Sequence, residues 1–391
     1  MGKKGLLRFD DLKWLKSTKK PKNSANSNLP PLRTVDLFAG CGGLSLGVSE
    51  YCRRKKRKHV LEFVSEWDAA ILEIFKTNFH PKESTSEDID TIIDGSIRYG
   101  KLTNVEQQFL DKYPDAMNPD ILLGGPPCQG NSDLNNHTRR KDDKNTLYLR
   151  MVRAAFVLQP KAVVIENVPE VIHSKQDVVN TSLKKLDKLG YHAKEFYLAA
   201  KEFGVPQSRK RHFLIAIHKE HGHSPDLTAL EPLKFGNEEA RTVQWAIEDL
   251  LDSVNEHPVM DKPTDADETN QMRMNWLIEN DEYDLPNHLR PDCHKDGHNY
   301  PAVYGRMYWD KPADTITTGF TSNGQGRFTH PLAYPGRPLT PHEAARLQTF
   351  PDWFDFLTTK RTLLKTVIGN AVPPILAMHV VHMVLENIES E

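Results

Sequence analysis

The chain has 391 residues, 38% of them hydrophobic and 27% charged, with a formal net charge of −2 at pH 7. That length suffices for a full-sized core and about two domains, while the lack of a run of about 18 apolar residues and of an apolar segment near the basic N-terminus argues against a membrane span or a secretory leader. Four cysteines (Cys41, Cys52, Cys128 and Cys293) show neither CxxC spacing nor the density of a disulfide framework, and they fit a reducing compartment.

Residues 1–32, rich in Lys, Ser, Asn and Pro after an amphipathic stretch at Leu6–Leu15, read as a flexible basic arm. From Thr34 short apolar runs alternate with stretches of helical spacing. Strands are expected at Thr34–Phe38, Val60–Ser65, Asp120–Leu123, Ala162–Ile165, Tyr191–Ala199 and His212–His218. Asp88-Ile89 is read as the end of a further strand. Helices are expected near Leu44–Arg53, Ala69–Asn78 and Thr146–Leu158. Strands alternating with helices predict an α/β, Rossmann-like domain over 33–218, with an open parallel sheet. The rhythm fails over 219–335, which is rich in Pro, Asn, Asp, Gly and His and reads as a smaller loop-rich domain. In 336–391, helices at Pro341–Leu347 and Pro374–Glu386 return to the first domain. The Arg53–Lys58 run reads as a solvated helix end.

Three clusters carry chemistry. In the first, Asp36 and Leu37 lead into Phe38-Ala39-Gly40-Cys41-Gly42-Gly43-Leu44, a strand running into a glycine-rich turn that opens a helix. Such a turn lets backbone approach a ligand; alone it could equally be a tight turn. Glu66 closes the next strand where a carboxylate can hold ribose hydroxyls, Trp67 can stack on a base, and Asp88 can meet an exocyclic amine. The incomplete G-x-G-x-x-G pattern favours an adenosine ligand without a pyrophosphate. In the second cluster, Gly124-Gly125-Pro126-Pro127-Cys128-Gln129 follows a strand directly. Cys128 there is either a nucleophile held by the stiff Pro pair or a free loop cysteine. In the third, the apolar strand ending at Glu166-Asn167 offers a carboxyl that can be held protonated, and alternation along Gln207-Ser208-Arg209-Lys210-Arg211 lets Gln207, Arg209 and Arg211 converge.

Together these residues resemble the DNA (cytosine-5) methyltransferase family, from about residue 34 to the C-terminus and in the family's motif order. Pro127-Cys128-Gln129 resembles the catalytic Pro-Cys-Gln, and Asn145-Thr146-Leu147-Tyr148 resembles the motif whose Leu touches the cofactor. Glu166-Asn167-Val168 and Gln207–Arg211 resemble the Glu-Asn-Val and Gln-x-Arg-x-Arg motifs. Arg337–Gln348 resembles the ninth motif and Gly369-Asn370-Ala371-Val372-Pro373-Pro374 the tenth.

The resemblance implies a SAM-dependent enzyme with S-adenosyl-L-methionine as cofactor and double-stranded DNA as partner. The cofactor would be held by Phe38, Ala39, Gly40, Gly42, Gly43, Leu44, Glu66, Trp67, Asp88, Ile89, Pro126, Leu147, Asn370 and Ala371. Cys128 would attack carbon 6 of a flipped cytosine while Glu166, beside Asn167, contacts N3 and the exocyclic amine. Arg209 would orient the base and Arg211 support it. Gln129, Arg139, Arg140, Thr315 and Thr317 would contact DNA, and 219–335 would be the target-recognition region. Where the family has an aromatic in x-Phe-Ser after Pro-Cys-Gln, this chain has Asn131.

The expectation is a monomer, cytoplasmic and nucleoid-associated if the source is a prokaryote, without membrane or metal. It would be either paired with a restriction endonuclease acting on the same site or solitary. Two other readings compete: the tRNA-modifying branch of the same family, against which the missing Cys-Phe-Thr tripeptide speaks, and a DNA-binding regulator without turnover, against which the intact Cys128, Glu166 and Glu66 speak. A zinc site at Cys293, His294 and His298 has too irregular a spacing to carry weight.

Overall fold

A computed structural model describes residues 11–22, 29–98, 100–127, 147–174, 177–251, 257–295, 302–358 and 360–388. Among these, strands β1 (Leu32–Leu37), β2 (His59–Ser65), β3 (Glu83–Thr85), β4 (Ile121–Gly124), β5 (Ala162–Asn167), β6 (Tyr191–Ala199) and β7 (Lys210–His218) form a single sheet in the order β3-β2-β1-β4-β5-β7-β6. The near-continuous apolar composition of β4 and β5 is what a strand covered on both faces requires, and every residue of both is buried.

Helices α1 (Asp11–Leu15), α2 (Gly43–Arg54), α3 (Ala69–Phe79), α4 (Ile89–Ile92), α5 (Asn104–Lys112), α6 (Leu147–Leu158) and α7 (Val178–Lys188) belong to this half. Alternate residues of the central strands feed two clusters. Val164, Phe213 and Ile215 face one side, with α2; Val163, Ile165 and Leu214 face the other, with α6 and α7.

The expected parallel sheet holds only from β3 to β5. β7 pairs antiparallel with β5, and β6 antiparallel with β7. The reason is the connection: a short 200–209 segment, not a crossover helix, joins β6 to β7, and such a link returns the chain antiparallel. Asp88 does not end a strand. It caps α4, its carboxylate accepting from Asp90 N at 2.9 Å.

The described part of the basic arm is not free either. In α1 the residues Asp11, Trp14 and Leu15 are buried, and Asp11 takes Arg54 at 2.6 Å and Arg241 at 2.5 Å. Arg54, read as solvated, is thereby buried in ion pairs that also include Glu50 at 2.6 Å.

Helices α8 (Val243–Ile247) and α9 (Glu268–Glu279) and short 3-10 turns make up most of the regular structure of 219–335. Val243, Ile247, Phe320 and Phe328 of this region share one apolar cluster with Ile215 of β7 and Val380 of the C-terminal part. Helices α10 (Pro341–Leu347), α11 (Arg361–Asn370) and α12 (Pro374–Asn387) complete the chain. The span Arg361–Asn387 is apolar and long enough to cross a membrane, but its most apolar window is 94% buried inside the protein. α12 lies along α2 so closely that a Cβ on Gly47 would sit 2.5 Å from that of Ala377.

Candidate active site

The strand order reverses between β1 and β4: successive strands run outward through β2 and β3 on one side and through β5 on the other. A crevice at the carboxyl ends of the strands at such a reversal is where open α/β sheets bind ligands. Leu37 of β1 pairs with Gly124 of β4, and Gly124 with Ile165 of β5. The three clusters singled out from the sequence therefore leave the sheet side by side.

β1 ends in strained backbone. Phe38 takes φ 55°, Gly40 φ 55° and Gly42 φ 97°, left-handed values that glycine adopts freely and Phe38 does not. Glu66 braces the turn, accepting from Gly40 N at 2.9 Å and from Asp68 N at 3.0 Å, and burial raises its pKa. Beneath it Asp36 is fully buried. Its Oδ2 accepts the Ser45 hydroxyl at 2.6 Å, and its Oδ1 has no partner. Burial, with the nearby Glu66 charge adding to it, pushes the Asp36 carboxyl up to about 7. Ser45, nine residues beyond Asp36 across the turn, is not among the residues singled out from the sequence.

Three observations fit a ligand of adenosine and amino-acid character here. Trp67 is 77% exposed and presents a bare ring beside Glu66. α2 is preceded by Gly42, which offers no side-chain cap, leaving first-turn amides for a carboxylate. Ala39 and Leu44 flank the same turn. Cys41 of this turn is buried, and burial pushes its thiol up to about 12, which disfavours the thiolate. The tenth motif closes on the turn from behind, where a Cβ on Gly43 would meet Val372 O at 2.3 Å. Asn370 ends α11 exposed and Ala371 is half-buried. Ile89 is buried in the α4 turn, and Leu147 opens α6, half-buried.

Cys128, Gln129, Asn131, Arg139 and Arg140 lie outside the described residues. The chain leading to them does not. Pro126 O accepts from Asn167 Nδ2 at 3.1 Å, and a Cβ on Gly125 would stand 3.4 Å from Glu166 Oε2. Glu166 is 8% exposed and pairs with Arg211 Nε at 2.7 Å. Burial raises its pKa, and Arg211 and Arg209 oppose that rise.

The two arginines have different partners within the protein. Arg211 is the one on Glu166. Arg209 is buried and donates to Ile316 O at 2.7 Å and to Gly369 O at 3.1 Å, with its Nε left without a partner. Gln207 joins the same tie, accepting from Ile316 N at 2.8 Å and donating to Leu347 O at 3.1 Å. Thr315 and Thr317 flank Ile316, both half-buried, and Thr317 Oγ1 accepts from Gly319 N at 3.2 Å.

A cavity of about 670 Å³ lies at the opposite, amino end of the strands, with Arg33, His59, Lys82 and Trp353 in its wall. No residue predicted for the site lines it. Of the residues considered for zinc, Cys293 and His294 sit in a short turn, His294 packs edge-on against Tyr304 at 5.5 Å, and His298 lies outside the described residues.

The fold and the grouped motifs define a Rossmann-like methyltransferase. Residues 32–386 match the family described as C-5 cytosine-specific DNA methylase. The chain is 41% identical over 96% of its length to the Type II methyltransferase M1.BsuMI of Bacillus subtilis (strain 168), covering 86% of that protein. It is 31% identical over 87% of its length to the Type II methylase M.HgiDII of Herpetosiphon aurantiacus, covering 91% of it. Among solved structures, the Dnmt2 methyltransferase of S. pombe superposes with a TM-score of 0.59 at 18% identity, over 91% of this chain and 98% of that one, a likeness of fold. The protein belongs to the C-5 cytosine-specific DNA methylase family, and it is a DNA (cytosine-5) methyltransferase.

Proposed function

We propose that the protein methylates carbon 5 of a cytosine rotated out of duplex DNA, with Cys128 as covalent nucleophile, S-adenosyl-L-methionine as cofactor and a Type II restriction–modification setting. The observation that carries the reading is the buried Glu166–Arg211 pair at the carboxyl end of β5, beside Gly125, three residues before Cys128 in the chain.

The cofactor supplies an electrophilic methyl group on sulfonium. Glu66, Trp67, the Phe38–Gly43 turn and the first-turn amides of α2 would hold it. The remaining work falls to the chain's own residues. Carbon 5 of cytosine is a weak nucleophile. Attack of the Cys128 thiolate on carbon 6, with a proton delivered to N3, gives an enamine whose carbon 5 can accept a methyl group. Glu166 suits the N3 role because burial favours its protonated form. Arg211 holds that carboxyl in place and supplies positive charge beside the ring. Loss of the carbon 5 proton to a solvent water then expels Cys128 as thiolate by β-elimination, and N3 returns its proton to the Glu166 carboxylate. The reaction needs the base outside the stack, since its ring atoms are covered in a duplex.

The Type II setting rests on the names of the two relatives. Duplex DNA carrying 5-fluorocytosine is expected to trap a covalent protein–DNA adduct, and Cys128→Ser to abolish both adduct and methyl transfer while binding cofactor normally. Wild-type turnover with no adduct would overturn attack by Cys128. Bisulfite sequencing of DNA exposed to the enzyme reads the modified base and its context.

A further inference from the structure

Within 219–335 the rings of Tyr283 and Tyr308 stack with centroids 4.2 Å apart and planes 21° from parallel. Three cations surround the pair. Arg306 lies 5.1 Å from the Tyr283 ring, and Arg327 lies 5.1 Å and Lys311 Nζ 4.1 Å from the Tyr308 ring. The two arginines are consumed locally. Arg306 pairs with Asp281 at 2.9 Å and donates to Pro331 O at 2.7 Å. Arg327 pairs with Asp284 at 2.7 Å and donates to Tyr283 O at 2.7 Å. Lys311 has no ion pair among the described residues and is exposed.

A flexible surface lysine ordinarily samples many rotamers. This one has its ammonium set over an aromatic face, which restrains it at small desolvation cost. Its backbone is fixed too. Lys311 O accepts from Val243 N at 2.9 Å, and two residues on, Ala313 exchanges bonds with Pro206 O at 2.9 Å and Ser208 N at 2.7 Å. Ile316, whose carbonyl Arg209 holds, lies five positions beyond Lys311. At about 3.3 Å per extended residue that is about 16 Å at most. Along one DNA strand, about 3.4 Å per nucleotide, it is about five steps.

We propose that Lys311, presented by the stacked Tyr308–Tyr283 pair, binds a backbone phosphate of the duplex within a few nucleotides of the target cytosine, and so sets the register of DNA without reading its sequence. The proposal rests on the reading of the site given above. Tyr308 is the positioning residue and Lys311 the contact.

The test is the salt dependence of binding to a fluorescein-labelled duplex of random sequence, read by anisotropy, beside methyl transfer to plasmid DNA. Removing one phosphate contact lowers the slope of log K against log salt by about 0.9. Lys311→Ala is expected to show that loss, to raise the KM for plasmid DNA and to leave kcat in place, and Lys311→Arg to restore the slope. Lys184→Ala, on the exposed side of α7, is expected to leave the slope unchanged. An unchanged slope for Lys311→Ala, an equal fall for Lys184→Ala, or a changed methylation pattern in place of a uniform loss each overturns the proposal. Wild-type protein that binds the duplex with a normal slope but transfers no methyl group defeats the reading of the active site instead.

Discussion

Asp36 sits under the cofactor turn with one oxygen on Ser45 and the other on nothing. A carboxyl held at about 7 when folded and near its ordinary value of 3.8 when unfolded binds protons more tightly in the folded state. The protein therefore loses stability as pH rises from about 4 to about 7. Asp36→Asn removes that dependence and keeps an acceptor for Ser45. The variant is expected to gain melting temperature over wild type as pH climbs through that window, and to bind cofactor more weakly at pH 8. Parallel melting curves with pH for the two proteins would refute this account of Asp36.

The arginines make a second residue-scale contrast. Arg209→Ala leaves the buried Ile316 carbonyl without a donor and Gly369 O with only the long 3.5 Å bond from Gln348 Nε2, a loss on the order of 1–3 kcal/mol. Arg211→Ala leaves Glu166 without its ion-pair partner, where protonation of the carboxyl limits the stability loss, and should slow turnover on the order of 100-fold. Chemical denaturation and kcat on plasmid DNA separate the two. A stable Arg209→Ala that is inactive, with an unstable Arg211→Ala, would reverse the roles.

Among the elements, α10 is the junction. His342 bridges Asp261 at 2.7 Å and Asp352 at 2.9 Å, so it ties the 219–335 region to the loop after α10. Arg346 adds Asp352 and, at 3.2 Å, Asp249, which also takes Lys16 at 3.0 Å. Burial disfavours charge on His342, but the two carboxylates outweigh it and raise its pKa to about 9. A histidine raised in the folded state contributes stability that is complete below about 6.5 and vanishes as pH rises through about 9. Wild type should therefore lose more melting temperature between pH 7 and pH 10 than His342→Gln does; equal losses would show that the ion pairs contribute nothing.

None of this was readable in the sequence, because the partners of His342 lie ten and 81 residues away and nothing local marks them. Where local rules act alone, the reading succeeds. Tyr191–Ala199 and Pro341–Leu347 match the expected bounds, and every motif-bearing strand end lies within a few residues of its expected place. The direction of β7 was not legible, since a strand has the same period of two whichever way it runs. α5 was legible and missed: Thr103 and Glu106 form a capping box at its start. The active-site residues emerged because glycines, prolines and a buried strand-end carboxylate break the local pattern. The task of Arg209 stayed hidden because it depends on carbonyls more than 100 residues away.

At the scale of the molecule, the loop-rich region is bound to the catalytic half at several points. Arg209 and Gln207 reach Ile316, and Gly369 is pressed so close that a Cβ there would stand 2.4 Å from Thr318 N. The apolar cluster runs unbroken from Phe320 and Phe328 to Ile215 and Val380. A core shared in this way cannot melt on one side without exposing apolar surface on the other, at about 25 cal/mol per Å². We therefore expect one cooperative thermal transition for the whole chain, with calorimetric and van't Hoff enthalpies equal. Gly369→Ala sharpens the test. The added methyl group must push the recognition backbone off α11, at a cost of about 1–3 kcal/mol for overpacking. If the halves share one core, that cost lowers the single melting temperature and leaves one peak. If they are independent domains, calorimetry of Gly369→Ala will instead resolve two peaks, with the β-sheet half melting where it does in wild type.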